Sequence, residues 1–180
     1  MDVLELLIDG KQSPSSDGQT FTRMNPLTGG VATEAAAATA EDARRSADAA
    51  ARAFPGWAAT GPAERRDLLL AAADNLRARS GEIAKAMAEE IGATAAWSGF
   101  NVKLAFDMLR EAASMTTLIK GDLIPSNRPG STAMAVRQPV GVVLSIAPWN
   151  APVILGVRSI AMPLACGNTV VMKSSEIAPR

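Results

Sequence analysis

Val140-Gly141-Val142-Val143-Leu144-Ser145-Ile146-Ala147 and Asn168-Thr169-Val170-Val171-Met172 are two short apolar runs, separated by a segment, Pro152 to Ala165, of helical length. Each run is too short for an ordinary helix and rich in β-branched residues, so both read as strands. They are apolar on both faces, which suits a sheet covered on each side. Pro152 falls in the first turn of the intervening helix, where its missing N–H would have had no partner. Strand, helix, strand with buried strands predicts a parallel pair joined by a right-handed crossover, hence an α/β fold.

Toward the N-terminus the pattern is mostly helical. Thr132 to Gln138 reads as a strand, and Gly121 to Gly130, with two prolines and two glycines, as a connector. Trp97 to about Leu118 and Ser80 to about Ile91 read as helices. Gly61-Pro62 opens another, on which Leu68, Leu69, Ala72 and Leu76 recur at helical spacing. Thr39 can cap a helix running to about Phe54, with Glu41 and Asp42 in its first turn and Ala43, Ala47 and Ala50 on one face. Ahead of it, Leu4 to Ile8 and Gln19 to Met24 read as strands around Asp9-Gly10, a favoured hairpin dipeptide, and Asn25 to Gly30 as a turn. The expected organisation is N-terminal strands and turns over 1–38, a helical part over 39–120, a connector and strand over 121–139, and the crossover over 140–180.

Composition removes several functions. Eighteen basic and eighteen acidic side chains cancel, leaving no field to attract nucleic acid or anionic lipid. No apolar stretch reaches the roughly 18 residues of a spanning helix, and the start lacks a secretory pattern, so the cytoplasm is the expected location. With no histidine there is no Ser-His-Asp or Cys-His pair, no His-ligated metal and no imidazole base. The single cysteine, Cys166, cannot form an internal disulfide.

In parallel sheets, ligands bind beyond the carboxyl ends of the strands. Those ends are Pro148-Trp149-Asn150 and Lys173-Ser174-Ser175-Glu176. A lysine and a glutamate three residues apart can meet two adjacent ribose hydroxyls, although taken alone they read first as a solvated ion pair. Asn150, near a helix N-terminus, suits a developing oxyanion, although taken alone it reads first as a helix cap. Trp149 fits core packing as well as a groove. No GxGxxG follows the first strand, which argues against an ordinary Rossmann phosphate loop.

The run Gly141 to Pro152 with its Pro148-Trp149-Asn150, followed by Pro163 to Glu176 with Gly167-Asn168-Thr169-Val170-Val171-Met172-Lys173-Ser174-Ser175-Glu176, resembles the PWN and GNxVVxKxSE blocks of the aldehyde dehydrogenase superfamily at their usual separation. Asn25-Pro26, Ala53-Phe54 and Glu64-Arg65-Arg66 resemble that family's N-terminal segment, so the likeness runs the whole chain. It implies the N-terminal part of an NAD(P)-binding domain, with the first β-α-β crossover of its sheet. It further implies that Ile146, Ala147, Pro148 and Trp149 line the cofactor groove. Lys173, Ser175 and Glu176 would lie at the adenosine ribose, and Asn150 would stabilise a hemithioacetal oxyanion. Glutamate at the ribose implies NAD, with NADP also possible.

Gly92 to Val102, Arg110 to Ser114 and Arg158 are similar to the bacterial salicylaldehyde and vanillin branch of the family. That implies an aromatic aldehyde substrate, with Trp97, Phe100, Leu104, Ala151, Ile154 and Arg158 around it. Trp97 and Phe100 fit helix-face packing equally well. By the same resemblance, the nucleophilic cysteine, the general-base glutamate and an oligomerisation strand lie beyond Arg180, and full-length relatives are homo-oligomers. The 180 residues are therefore expected to be an inactive fragment of an oxidoreductase. The alternative is a non-catalytic binding or assembly module that pairs with full-length subunits.

Overall fold

A computed structural model describes residues 2–180. Strands β1 (Leu6–Ile8) and β2 (Lys11–Ser13) form a hairpin across Asp9-Gly10, whose φ values of 55° and 70° are those a tight primed turn requires. β3 (Thr20–Met24) pairs antiparallel with β4 (Val31–Ala36) across the Asn25–Gly30 turn. β4 carries no sequence signal because half of it is alanine. Tertiary contacts hold it: Leu4 accepts from Ala36 N at 2.9 Å and donates to Glu34 O at 2.8 Å, while Ala32, Ala35 and Ala36 are buried.

Helix α1 (Ala40–Ala59) starts at a capping box, in which Thr39 accepts from Glu41 and Asp42 N–H and Asp42 accepts from Thr39 N–H. It runs past the expected end at Phe54, through Pro55. The proline removes one helical hydrogen bond. Trp57 secures the turn beyond it, its Nε1 donating to Leu164 O at 3.1 Å. The buried stripe is Asp42, Ala49 and Ala50; Ala43 and Ala47 are exposed, against expectation. A helix with alanine on every side has too little polarity contrast to show its inner face.

Helix α2 (Pro62–Ala78) buries Arg65, Leu69 and Ala73, while Leu68 and Ala72 face outward, also against expectation. α3 (Ser80–Ile91) ends on Gly92 in the left-handed region, a conformation that favours glycine. α4 (Ala95–Met115) starts two residues before the expected Trp97, because Thr94 accepts from Trp97 N at 3.2 Å, and closes with a 3-10 turn at Thr116–Leu118. Within the expected connector a strand forms, β5 (Asp122–Ile124), paired antiparallel with β6 (Ala133–Ala135). Gly121 enters it so close to its partner that an added Cβ would stand 2.3 Å from Ala135 O.

The decisive segment folds as read: β7 (Val142–Ile146), α5 (Pro152–Ala165) and β8 (Thr169–Lys173), with the strands parallel and Val142 opposite Thr169 through Ile146 opposite Lys173. Asn168 fixes the strand starts, its Oδ1 accepting from Val140 N at 2.7 Å and Gly141 N at 3.1 Å. α5 covers one face of the pair, where Ser145 hydrogen-bonds Ser159. α1 reaches the opposite face at Thr169, whose Oγ1 donates to Ala50 O at 2.9 Å. The rest of that face is open, with Leu144 66% and Ile146 65% exposed. The core joins α2, α4 and α5 through Leu69, Ala73, Ala105, Leu109, Ala112, Ala113, Val157, Ala161 and Ala165. Burial of each larger aliphatic there stabilises by about 1.5–3 kcal/mol.

Candidate active site

The carboxyl ends of β7 and β8 lie side by side because Ala147 N donates to Lys173 O at 3.0 Å, extending the ladder past Ile146. In parallel register Ile146 and Lys173 are partners, so both project from the open face. Lys173 Nζ stands 3.6 Å from Glu176 Oε2 and donates to Ser174 O at 3.0 Å. Both side chains are exposed. The Glu176 carboxyl is held below its ordinary value, first by its own backbone N–H and then by the charge of Lys173. Ser175 is buried, and its hydroxyl is committed to a turn, accepting from Ile177 N at 3.2 Å. Pro148 and Trp149 are exposed and Ala147 is buried.

A carboxylate acceptor beside an ammonium donor, both exposed at a strand end, matches two neighbouring ribose hydroxyls, so this donor set fits a dinucleotide. The apolar side chains of Leu144 and Ile146 continue the same face.

On the other side of the strand end, α4 approaches Asn150. Trp97 Nε1 donates to Asn150 O at 3.2 Å, and the Trp97 and Phe100 rings stack with centroids 5.6 Å apart. Trp97 is 40% and Phe100 50% exposed within these 180 residues. Leu104 lies half-buried further along the same stripe of α4. Ala151 and Ile154 are buried against it, and Arg158, one helical turn beyond Ile154, is exposed.

Asn150 itself is exposed, and it is not the cap of α5. The N-cap position belongs to Ala151, whose side chain makes no capping bond. An acceptor comes instead from Asn101 of α4, a residue to which the sequence reading gave no role: its Oδ1 accepts from Ile154 N at 3.4 Å. No local pattern marks it, because the two residues meet only through helix packing.

Cys166 caps the opposite end of α5. Fourteen residues of helix place it about 21 Å from Asn150, too far to serve the same reacting atom. A concavity of about 600 Å³ is also displaced from Asn150. It runs between α3 and α5 and takes in Ala147, Pro148 and Ser175, but none of Trp97, Phe100, Asn150, Lys173 or Glu176.

Residues 13–180 match the aldehyde dehydrogenase family. The chain belongs to the aldehyde dehydrogenase family. It is 63% identical over 174 residues to a vanillin dehydrogenase of Pseudomonas fluorescens, covering 97% of this chain and 36% of that one. The structure superposes with a TM-score of 0.96 on a salicylaldehyde dehydrogenase from Pseudomonas putida G7 complexed with salicylaldehyde, at 47% identity, covering 98% of this chain and 37% of that one. A NAD-dependent benzaldehyde dehydrogenase from Corynebacterium glutamicum gives 0.94 at 34% identity, covering 99% and 39%. The chain thus spans little more than a third of the length of the relatives it matches. Its α/β architecture is that of the N-terminal part of aldehyde dehydrogenase structures.

Proposed function

We propose that this segment supplies the ribose-binding and oxyanion-stabilising residues of an enzyme that oxidises an aromatic aldehyde to its carboxylic acid with NAD(P)+, NAD being preferred. The observation that carries the reading is the bond from Trp97 Nε1 to Asn150 O. It joins an exposed aromatic platform to an exposed, uncommitted amide at the end of β7. Stacked Trp97 and Phe100, with Leu104, Ala151, Ile154 and Arg158, form the wall for an aromatic ring. The Asn150 amide donates to the oxygen that becomes negative when a cysteine thiolate adds to the carbonyl carbon. Lys173 and Glu176 hold the adenosine ribose, with Ile146, Ala147, Pro148 and Trp149 along the groove and Ser175 shaping the turn beneath it. The nicotinamide of a dinucleotide held by these residues would supply the hydride acceptor. Cys166 is not the nucleophile, and the chemistry of the whole enzyme needs a thiolate and a base beyond those in these residues.

The names of the similar proteins, a vanillin, a salicylaldehyde and a benzaldehyde dehydrogenase, support the aromatic substrate class. The test is a full-length enzyme containing this segment, assayed at 340 nm with vanillin, salicylaldehyde and acetaldehyde against NAD+ and NADP+. Faster turnover of both aromatic aldehydes is expected; preference for acetaldehyde, or no oxidation at all, refutes the reading.

An assembly role is favoured by a separate observation. Leu123, Met134, Val136 and Val140 around the β5–β6 hairpin are each at least 66% exposed, and the β7–β8 pair has an uncovered apolar face. Such surfaces favour association with another chain. Sedimentation of the 180-residue chain tests this: oligomers are expected, and a stable monomer refutes it.

A further inference from the structure

Helix α5 lacks a cap of its own at the end that carries the site. Its N-cap is Ala151, and Pro152 at the first position has no N–H, so the N–H groups of the first turn depend on other elements. Asn101 supplies an acceptor from α4. It is 0% exposed on a helix whose other buried positions include Val102, Ala105, Leu109, Ala112 and Ala113, where an apolar side chain would pack at lower desolvation cost. Its amide is used at both ends: Oδ1 accepts from Ile154 N at 3.4 Å, and Nδ2 donates to Trp97 O at 3.0 Å. Trp97 in turn donates through its indole to Asn150 O at 3.2 Å. Asn101 therefore touches both segments that fix the Asn150 main chain, the first turn of α5 on one side and Trp97 on the other.

We infer that Asn101 is a positioning residue, holding Asn150 in register with the aromatic platform through these two contacts. The inference rests on the reading of Asn150 as an oxyanion donor. An amide suits the position because it carries an acceptor and a donor on one short, planar side chain. Leucine, of similar size, offers neither. Aspartate keeps the acceptor toward Ile154 and loses the donor toward Trp97.

The experiment is a double-mutant cycle in a full-length enzyme containing this segment, with vanillin and NAD+. The primary deuterium isotope effect on the aldehyde C–H identifies when hydride transfer limits. Asn101→Leu is expected to lower kcat by about tenfold to 100-fold, the scale of a small misplacement of a catalytic group. The KM for NAD+ should stay within about threefold, since Asn101 touches no ribose-binding residue. Asn101→Asp should recover part of the loss by restoring the acceptor. In an Asn150→Ala background, Asn101→Leu should cost nothing further, because its effect passes through Asn150. Equal fold losses in both backgrounds, or an unchanged kcat in the single variant, overturn the inference. If Asn101→Leu does not fold, Asn101→Ser is compared in the same two backgrounds and read by the same criteria. An Asn150→Ala enzyme with undiminished kcat refutes the oxyanion reading instead, so the two failures are distinguishable.

Discussion

Arg65 donates from Nε to the carbonyl of Ala165 across 3.1 Å, so a buried guanidinium from α2 closes the C-terminal end of α5. The same side chain donates from Nη1 to Thr60 O, and Trp57 takes the neighbouring Leu164 carbonyl. Leu164 O also accepts from Gly167 N at 3.0 Å, whereas the buried Ala165 carbonyl depends on Arg65, and a cation there also meets the negative end of the helix dipole. α5 is thus held at its C-terminus by side chains of α1 and α2 and at its N-terminus by one of α4. The expected cost of Arg65→Met, which keeps much of the volume but none of the donors, is about 2–3 kcal/mol in denaturant unfolding. Arg65→Lys should recover little, since one ammonium cannot reproduce the fork of donors. A loss under about 0.5 kcal/mol would assign Arg65 to packing alone.

Asp42 gives a pH dependence with a definite sign. Hydrogen bonds from Thr39 N and Ser16 N, then from the hydroxyls of the same two residues, hold its carboxyl down to about 2 against an ordinary 3.8. Arg45 Nη1 adds an ion pair at 3.0 Å. Because the folded pKa is depressed, this stabilisation is fully present above about pH 4 and disappears as pH falls through about 2. Asp42→Asn should therefore lower Tm near neutral pH, and the gap to the parent protein should close between about pH 4 and pH 2. A gap that stays constant over that window would mean the charge contributes nothing.

The crossover was legible because Val142 to Ile146 and Thr169 to Met172 contrast sharply with their polar flanks, and contrast is what periodicity reads. Where contrast fails, reading fails. β4 is half alanine and is held between the β3 ladder and Leu4, the latter a contact no short window of sequence contains. The inner face of α1 was misplaced for the same reason, and α2 hid a buried arginine among residues that count as polar. At the candidate site the sequence could name Asn150, Trp97 and Phe100 but could not choose between packing and binding. Exposure of the two aromatics and the acceptor that Asn101 gives α5 are three-dimensional facts that no window of sequence contains.

The proposed preference for NAD rests on Glu176. Its own backbone N–H and Lys173 keep the carboxylate charged, and the side chain is exposed beside the proposed ribose position. A 2′-phosphate would meet that charge at close range, and a unit-charge repulsion at about 4 Å in water is worth about 1 kcal/mol. Glu176→Gln in a full-length enzyme should raise kcat/KM for NADP+ relative to NAD+ by about fivefold, the equivalent of that energy. An unchanged ratio would place the discrimination elsewhere.

Asn150→Ala tests the oxyanion role without the ambiguity that usually attends residues at helix starts. Removing an asparagine at an N-cap costs about 1 kcal/mol of stability and can disturb a site indirectly. Here the cap position is Ala151 and the acceptor for Ile154 N–H comes from Asn101, so the Asn150 side chain contributes nothing to the end of α5. The main-chain carbonyl that accepts from Trp97 also survives the substitution. Unfolding free energy should therefore stay within about 0.5 kcal/mol of the parent value, as for other exposed positions. In a full-length enzyme kcat should nonetheless fall by about 100-fold or more, the cost of one oxyanion donor, with little change in NAD+ affinity. The two measurements are complementary. A fall in kcat that tracks a fall in stability would return Asn150 to a structural role, and an unchanged kcat with a full deuterium isotope effect would remove it from the chemistry altogether.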